Sequence, residues 1–363
     1  MRDRKGVADL LAAGLCLLIT CTLILPNSRR LTEGVHRFID TRQQLPPIGA
    51  EDPSVSPTPE TETTAPVQEP SSDPPSAADL ASTPADVLQA QAEMREKTGT
   101  LTPAGTVKES DMHSAGATDT VGNIRIKNTT SLHPDLRQLL EEGPVLDPAD
   151  RSAPAVLIFH THTSESYLTL DNGYFYKEYP TRTQDPEQGV VRVGSEICTA
   201  LEARGIGCIH DTAVYDESYN GAYARSRIGI EKILAQYPTI RIVLDVHRDA
   251  FFYDEDVMGK PAARIGGKKA AQIMIISGAE DSGITGFPDW EDNLRFALRL
   301  QEYAEAAAPG LMRPLYFCPR KYNMDICPCS LLLEIGSDAN TLEEAIYAGR
   351  LLAAALADLI DDA

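Results

Sequence analysis

The chain has 363 residues and a formal charge of -20, with 53 acidic side chains against 33 Lys and Arg and only 6% aromatic residues. That length permits two or three domains. The acidity, with no basic stripe, argues against a nucleic-acid partner.

In chain order, residues 1–6 form a short basic tail with Arg2, Arg4 and Lys5. Residues 7–26 are one apolar stretch interrupted by a single acid, Asp9. A helix needs ~20 such residues to cross a bilayer. The preceding positive charges predict an amino end in the cytoplasm and the remainder of the chain outside the cell membrane. Pro26-Asn-Ser-Arg-Arg30 follows without a small-residue cleavage site, so a retained single-pass anchor is expected rather than a removed signal peptide. Residues 27–111, rich in Pro, Ser, Thr, Ala and Glu from about Gln44 to Ser110, read as an extracytoplasmic disordered linker. Residues 112–149 are transitional, with a short helix predicted in Ser131-Leu-His-Pro-Asp-Leu-Arg-Gln-Leu-Leu-Glu141.

Residues 150–363 alternate strand-like and helix-like patterns. They predict an α/β domain of three layers: a mixed, mostly parallel sheet with helices on both faces. The first strand is Ala155-Val-Leu-Ile-Phe159, a continuous apolar run of the kind buried on both faces of a sheet. A polar loop, 171–188, leads to a helix in which Val193, Ile197 and Leu201 share a face and Gly205 is the stop. Ile206–His210 is a second strand, Tyr223–Tyr237 a helix and Thr239–Val246 a third strand. Residues 262–278 predict a hairpin turning on Gly266-Gly267. Trp290–Ala308 is the next helix, and Leu315–Cys318 and Leu331–Ile335 are short strands. Thr341-Leu-Glu-Glu344 has the form of a capping box, opening a last helix striped by Leu342, Ile346, Leu352, Leu356 and Ile360.

Chemistry in such sheets gathers past the carboxyl ends of the strands. The first strand runs into His160-Thr-His162-Thr-Ser-Glu165, the third into Asp245-Val-His247-Arg248-Asp249, and the last into Glu334. Two histidines and a glutamate are a standard ligand set for hydrolytic zinc. His162, Glu165 and His247 are the expected ligands, with Glu178, Glu187 and Glu196 as rivals for the place of Glu165. Zinc acidifies a water and polarises a carbonyl, and a separate carboxylate then carries the proton. Glu334 suits that catalytic role because nothing in a plain apolar core calls for a charge after three leucines. Arg248 is expected at a substrate carboxylate or oxyanion. His160 and His162 are expected to point to opposite faces, which for residues two apart requires the strand to end between them. His160 is expected beside the ligands or in the substrate cleft, and Asp245 is expected to orient a ligand ring. His36, His113, His133 and His210 have no such context.

Two other chemistries are weaker. Cys327-Pro-Cys329 lacks the second cysteine pair of a metal site, and the five cysteines after the anchor predict buried thiols or a single disulfide. Ser164 or Ser166 with a histidine would make a serine hydrolase, but no Gly-x-Ser-x-Gly elbow is present. A tethered wall-binding or scaffold module without turnover is the third reading.

His160-Thr-His-Thr-Ser-Glu-Ser-Tyr167, Tyr223-Ala-Arg-Ser-Arg227, Asp245-Val-His-Arg-Asp249, Tyr322-Asn323 and Leu333-Glu-Ile-Gly336 with Asn340-Thr341 together resemble the stage II sporulation protein P family. The resemblance covers residues 150–363, and the anchor and polar linker match the family layout. It implies a membrane-anchored, zinc-dependent N-acetylmuramoyl-L-alanine amidase, with endopeptidase activity also described, which remodels peptidoglycan during forespore engulfment. It implies as partners a lytic transglycosylase, stage II sporulation protein D, and a membrane scaffold, stage II sporulation protein M. It also places Asp249, Tyr322 and Asn323 near the substrate cleft.

Overall fold

The computed structural model describes residues 75–144, 146, 153–281, 283 and 286–363. The tail at 1–6, the anchor expected at 7–26 and the linker up to residue 74 lie outside the described residues. Among the described residues, no helix is long and apolar enough to cross a membrane.

The central sheet is built from the apolar runs. Its strands are β2 (Asp119–Val121), β3 (Ile124–Asn128), β4 (Val156–Phe159), β6 (Cys208–His210), β7 (Ile242–Asp249), β11 (Ile273–Gly278), β12 (Leu315–Cys318) and β13 (Cys329–Ser337). They lie in the order β2-β3-β12-β11-β13-β7-β4-β6. All neighbours run parallel except β2 with β3 and β11 with β13. The mixed, mostly parallel sheet expected from the alternation of elements is therefore present. Three helices, α4 (Val190–Glu202), α6 (Trp290–Ala307) and α7 (Leu342–Asp361), bury their apolar stripes against Val156, Ile158, Leu244, Val246, Leu331 and Leu333. The other face carries α5 (Ala222–Gln236), whose Ile230 packs on Leu157, Phe159 and Val243. Both faces are covered, which is why these strands read as unbroken apolar runs.

Local signals fall where they were expected. Thr341 accepts the Glu344 amide while the Glu344 carboxylate accepts the Thr341 amide, so the capping box opens α7. Gly266 and Gly267, both at positive φ, turn β9 (Val257–Ile265) into β10 (Lys268–Ala271). The helix in the transitional segment is α3 (Leu136–Glu142), capped by Asp135.

The amino-terminal part corrects the sequence reading. Residues 75–111 were expected to be disordered, yet they form α1 (Ala77–Ala81), α2 (Ala85–Lys97) and β1 (Pro103–Ser110). β1 joins β9 in parallel and β5 (Tyr174–Tyr176) antiparallel, in a second sheet of order β10-β9-β1-β5. α2 buries only Val87, Gln91 and Met94. Polar bonds to α7 supplement that small apolar contact: Gln91 donates to Glu343 at 2.7 Å, and Arg350 donates to the Ser82 carbonyl at 2.6 Å. A composition poor in apolar residues hides a segment held by backbone pairing and long-range polar bonds. A further short strand, β8, spans Phe252–Asp254. The described residues other than Phe251–Tyr253 belong to one compact unit.

Candidate functional site

Three adjacent parallel strands, β4, β7 and β13, bring the site together at their carboxyl ends. Phe159 pairs with Asp245, and Glu334 pairs with His247. Asp245, His247 and Glu334 fall on the face that α5 covers. The chain leaves β4 and turns so that His162 and Glu165 reach the same place. The ring centroids of His162 and His247 are 5.5 Å apart, nearly perpendicular. His247 Nδ1 lies 3.3 Å from Glu165 Oε2, and its Nε2 lies 2.8 Å from Asp245 Oδ1. That second contact is close but out of line for a hydrogen bond, and His247 Nε2 counts among the unpartnered buried atoms.

The electrostatics follow from this crowding. Burial pulls His247 toward the neutral form, but Asp245 and Glu165 outweigh it and hold the ring protonated. Burial would raise Glu165; its bond to His247 and the charges of His247 and Arg248 instead keep it well below the usual carboxylate range. His162 has no carboxylate so near. Burial, and then the charge on His247, lower it to about 4. Glu334 is pushed up to about 8 by burial and by Asp249, against the pull of His247. Its Oε2, and Nδ1 of His162, are also buried without a hydrogen-bond partner among the described residues. Buried polar atoms left unpaired are costly, so this cluster of orphans at converging strand ends asks for a ligand.

The donor set fits zinc in kind: two imidazoles and a carboxylate, with rings near enough to share one ion at ~2.0–2.1 Å from each nitrogen. Among the described residues, however, no three His, Cys, Asp or Glu side chains already stand in metal-holding geometry. Glu165 is instead engaged by the Arg248 amide at 3.1 Å and by Arg182 at 3.3 Å. The rivals of Glu165 lie elsewhere. Glu178 accepts the Thr102 amide, while Glu187 and Glu196 pair with Arg192. The remaining thiols carry no metal arrangement either; Cys318, Cys327 and Cys329 are free, and Cys198 and Cys208 form a disulfide.

Two expectations are overturned. His160 is not in the cleft. It lies on the opposite face, beneath α4, with Nδ1 donating to the Val246 carbonyl at 2.8 Å and Nε2 facing His210 Nε2 at 2.9 Å. The alternation of a strand sends it there, and His210, without context in the sequence, is its partner. Arg248 does not offer a free guanidinium. Its Nε donates to the Ser166 carbonyl at 3.1 Å, Nη2 to that of Thr181 and Nη1 to that of Asp249, so it clamps the loop that carries Glu165.

The other expected residues make contacts around the same strand ends. Asp245 accepts both the amide and the hydroxyl of Thr161, at 2.8 and 2.7 Å, which fixes it beside His247. Asp249 pairs with Arg313 at 2.8 Å. Asn323, in the left-handed region, donates to the Tyr223 carbonyl and to Ser226 at the start of α5. The Tyr322 ring lies against Tyr223, whose ring is 5.9 Å from that of His162. Ser164 and Ser166 are not paired with histidine: Ser164 donates to Asp216 and Ser166 to the Pro180 carbonyl.

Sequence reasoning missed the surroundings of His162. Tyr219 stacks on it at 4.6 Å, Arg182 sits over Tyr219, and Asp216 lies 3.8 Å from its Nδ1. Asp216 also accepts the Thr163 and Ser164 hydroxyls, and so ties the loop after β6 to the loop after β4. The usable signal was position: Tyr215-Asp-Glu-Ser-Tyr219 follows the carboxyl end of a strand next to β4.

The fold and site define an α/β protein with a histidine–carboxylate cluster at the ends of parallel strands. The family model for stage II sporulation protein P matches residues 59–357, and the chain belongs to that family. Stage II sporulation protein P of Bacillus subtilis (strain 168) is 28% identical over 220 residues, which are 57% of this chain and 51% of that protein. The chain therefore spans about half the length of the curated relative it matches. Solved structures with some likeness include the N-acetylmuramoyl-L-alanine amidase AmiC2 of Nostoc punctiforme, at 11% identity and TM-score 0.34 over 57% of this chain and 97% of that one. The CwlD amidase from Clostridioides difficile, solved with the GerS lipoprotein, has 12% identity and TM-score 0.35 over 57% of this chain and 100% of that one. The amidase Ami1 from Mycobacterium smegmatis has 12% identity and TM-score 0.32 over 59% of this chain and 100% of that one.

Proposed function

We propose that this chain is a zinc-dependent peptidoglycan hydrolase of sporulation, an N-acetylmuramoyl-L-alanine amidase that opens the wall during forespore engulfment. The observation that carries the reading is the meeting of His162, Glu165 and His247, from two strand ends, beside a half-buried Glu334 whose Oε2 is buried without a hydrogen-bond partner among the described residues. Family membership supports peptidoglycan as the substrate class. His162, Glu165 and His247 would hold the zinc, whose chemistry is to acidify a water and polarise the amide carbonyl. Asp245 sets a negative charge beside the His247 ring, and Arg248 and Arg182 fix the Glu165 loop. Glu334, which must be in its ionised form to act, takes the proton of the attacking water and passes it to the leaving nitrogen, a transfer that general acid–base groups typically accelerate ~10²–10⁴-fold. Residues 7–26 anchor the protein in the cell membrane with the catalytic domain outside. Its partners would be the transglycosylase, stage II sporulation protein D, and the scaffold, stage II sporulation protein M.

The test is digestion of purified cell wall with and without chelator, with elemental analysis of the same protein. Glu334→Gln should keep its zinc and lose at least about 100-fold in hydrolysis, whereas His247→Ala should lose both. Zinc bound by His247→Ala as tightly as by the parent would overturn the ligand assignment. Wall binding with no turnover in the zinc-loaded parent would favour a scaffold module instead.

A further inference from the structure

Beside the histidine–carboxylate cluster lies a cavity of about 220 Å³ that the reaction just described does not use. Tyr167, Tyr174, Tyr176, Tyr179, Arg182 and Asp338 are among its walls. Asp338 is only 3% exposed, and its Oδ1 has no hydrogen-bond partner among the described residues. Its backbone amide donates to the Asp249 carbonyl at 2.9 Å, which fixes it at the end of β7, two residues past His247. Ser166, next to Glu165, also lines the cavity, as does Arg182, which reaches Glu165. The cavity therefore shares a wall with the candidate centre.

The charges around the cavity select its occupant. A buried carboxylate oxygen without a donor calls for one, and a charged donor bonds it more strongly than a neutral one. The two nearby guanidinium groups are engaged: Arg248 by backbone carbonyls, and Arg182 by Ser164 and Glu165. Glu178 adds a second acid to the lining, and the tyrosine faces favour a cation and the alkyl chain behind it. We infer that this cavity is a subsite for a primary ammonium on an alkyl arm, the group that the side chain of a diamino acid in a wall peptide presents, with Asp338 as its counter-ion. The inference rests on the hydrolase reading for the peptide, though not for the ammonium. Burial pushes the Asp338 carboxyl up to about 7, against the pull of Arg248, and a bound ammonium would favour its anion.

The probes are a muramoyl tripeptide ending in lysine and the same peptide with its side-chain amine acetylated, titrated into the full chain by calorimetry. The free amine should bind at least about tenfold more tightly than the acetylated peptide, the ratio expected for one charge-assisted bond. Asp338→Asn should abolish that ratio. Equal binding of the two peptides by the parent, binding of neither, or an undiminished ratio in Asp338→Asn would each overturn the subsite. The parent comparison needs no variant and so does not depend on how well the variant folds. Wall digestion separates the two claims: amine selectivity without digestion sinks the hydrolase and leaves the subsite, and digestion without amine preference does the reverse.

Discussion

The histidine pair beneath α4 makes a demand on pH that can be worked through. His160 Nδ1 donates to the Val246 carbonyl, so its Nε2 must accept, and His210 Nε2 must donate to it. His210 Nδ1 is left to accept from the Ser195 hydroxyl at 3.3 Å. Each ring then carries one proton; a second on His160 would face the N–H of His210, and a second on His210 could be met only by Ser195 Oγ, with the hydroxyl hydrogen turned to the Val191 carbonyl at 3.2 Å. Burial, with the neighbouring imidazole, holds His160 down at about 3; burial holds His210 at about 4 against the charge of Asp211. Between pH ~6.5 and those values the unfolded chain binds protons that the folded chain refuses, so the contribution is complete above ~6.5 and is lost as pH falls. From pH 7 to 5 one such group loses about 2 kcal/mol. Glu334 and Asp338, raised to about 8 and about 7, gain stability over the same interval and mask the loss in the parent's profile. His210→Asn isolates it, because an amide still donates to His160 but does not titrate. Urea unfolding at pH 7 and pH 5 should show the parent losing about 2 kcal/mol more, or gaining about 2 kcal/mol less, than the variant. Profiles parallel to within about 0.5 kcal/mol would refute the neutral pair.

Two further outcomes test the packing around that pair. A Cβ added at Gly194 would lie 2.7 Å from Nε2 of both His160 and His210. Removing a helical glycine gains about 1 kcal/mol, whereas overpacking a buried site costs about 1–3 kcal/mol. Gly194→Ala should therefore lower the melting temperature by a few degrees, and a raised value would show that the rings yield freely. Reducing the Cys198–Cys208 bond, which closes a separation of 10 residues, should cost about 2–3 kcal/mol. Urea midpoints unchanged by reductant would show that the bond does not constrain the unfolded chain.

Much of the fold was legible because its causes are local. The runs ending at Phe159, Val246 and Ile335 are strands because both faces of the sheet are covered. The Gly266-Gly267 turn and the Thr341–Glu344 cap are complete within a few residues of sequence. His162, Glu165, His247, Asp245 and Glu334 could be proposed as one site because strand ends converge in such sheets. Residues 75–111 were misread because backbone pairing of β1 with β9 and bonds from Gln91 to Glu343 leave no trace in composition.

What the sequence alone determined was the order of elements and the chemical types waiting at their ends. Only the tertiary structure decided which of those groups meet. It sent His160 away from His162 and into contact with His210. It engaged Arg248 with backbone carbonyls, put Asp216, Tyr219 and Arg182 around His162, and left Asp338 Oδ1 without a partner among the described residues. Periodicity fixes which way a side chain leaves its own strand, but a partner fifty or a hundred residues distant is chosen by strand order and loop path, which no local pattern records.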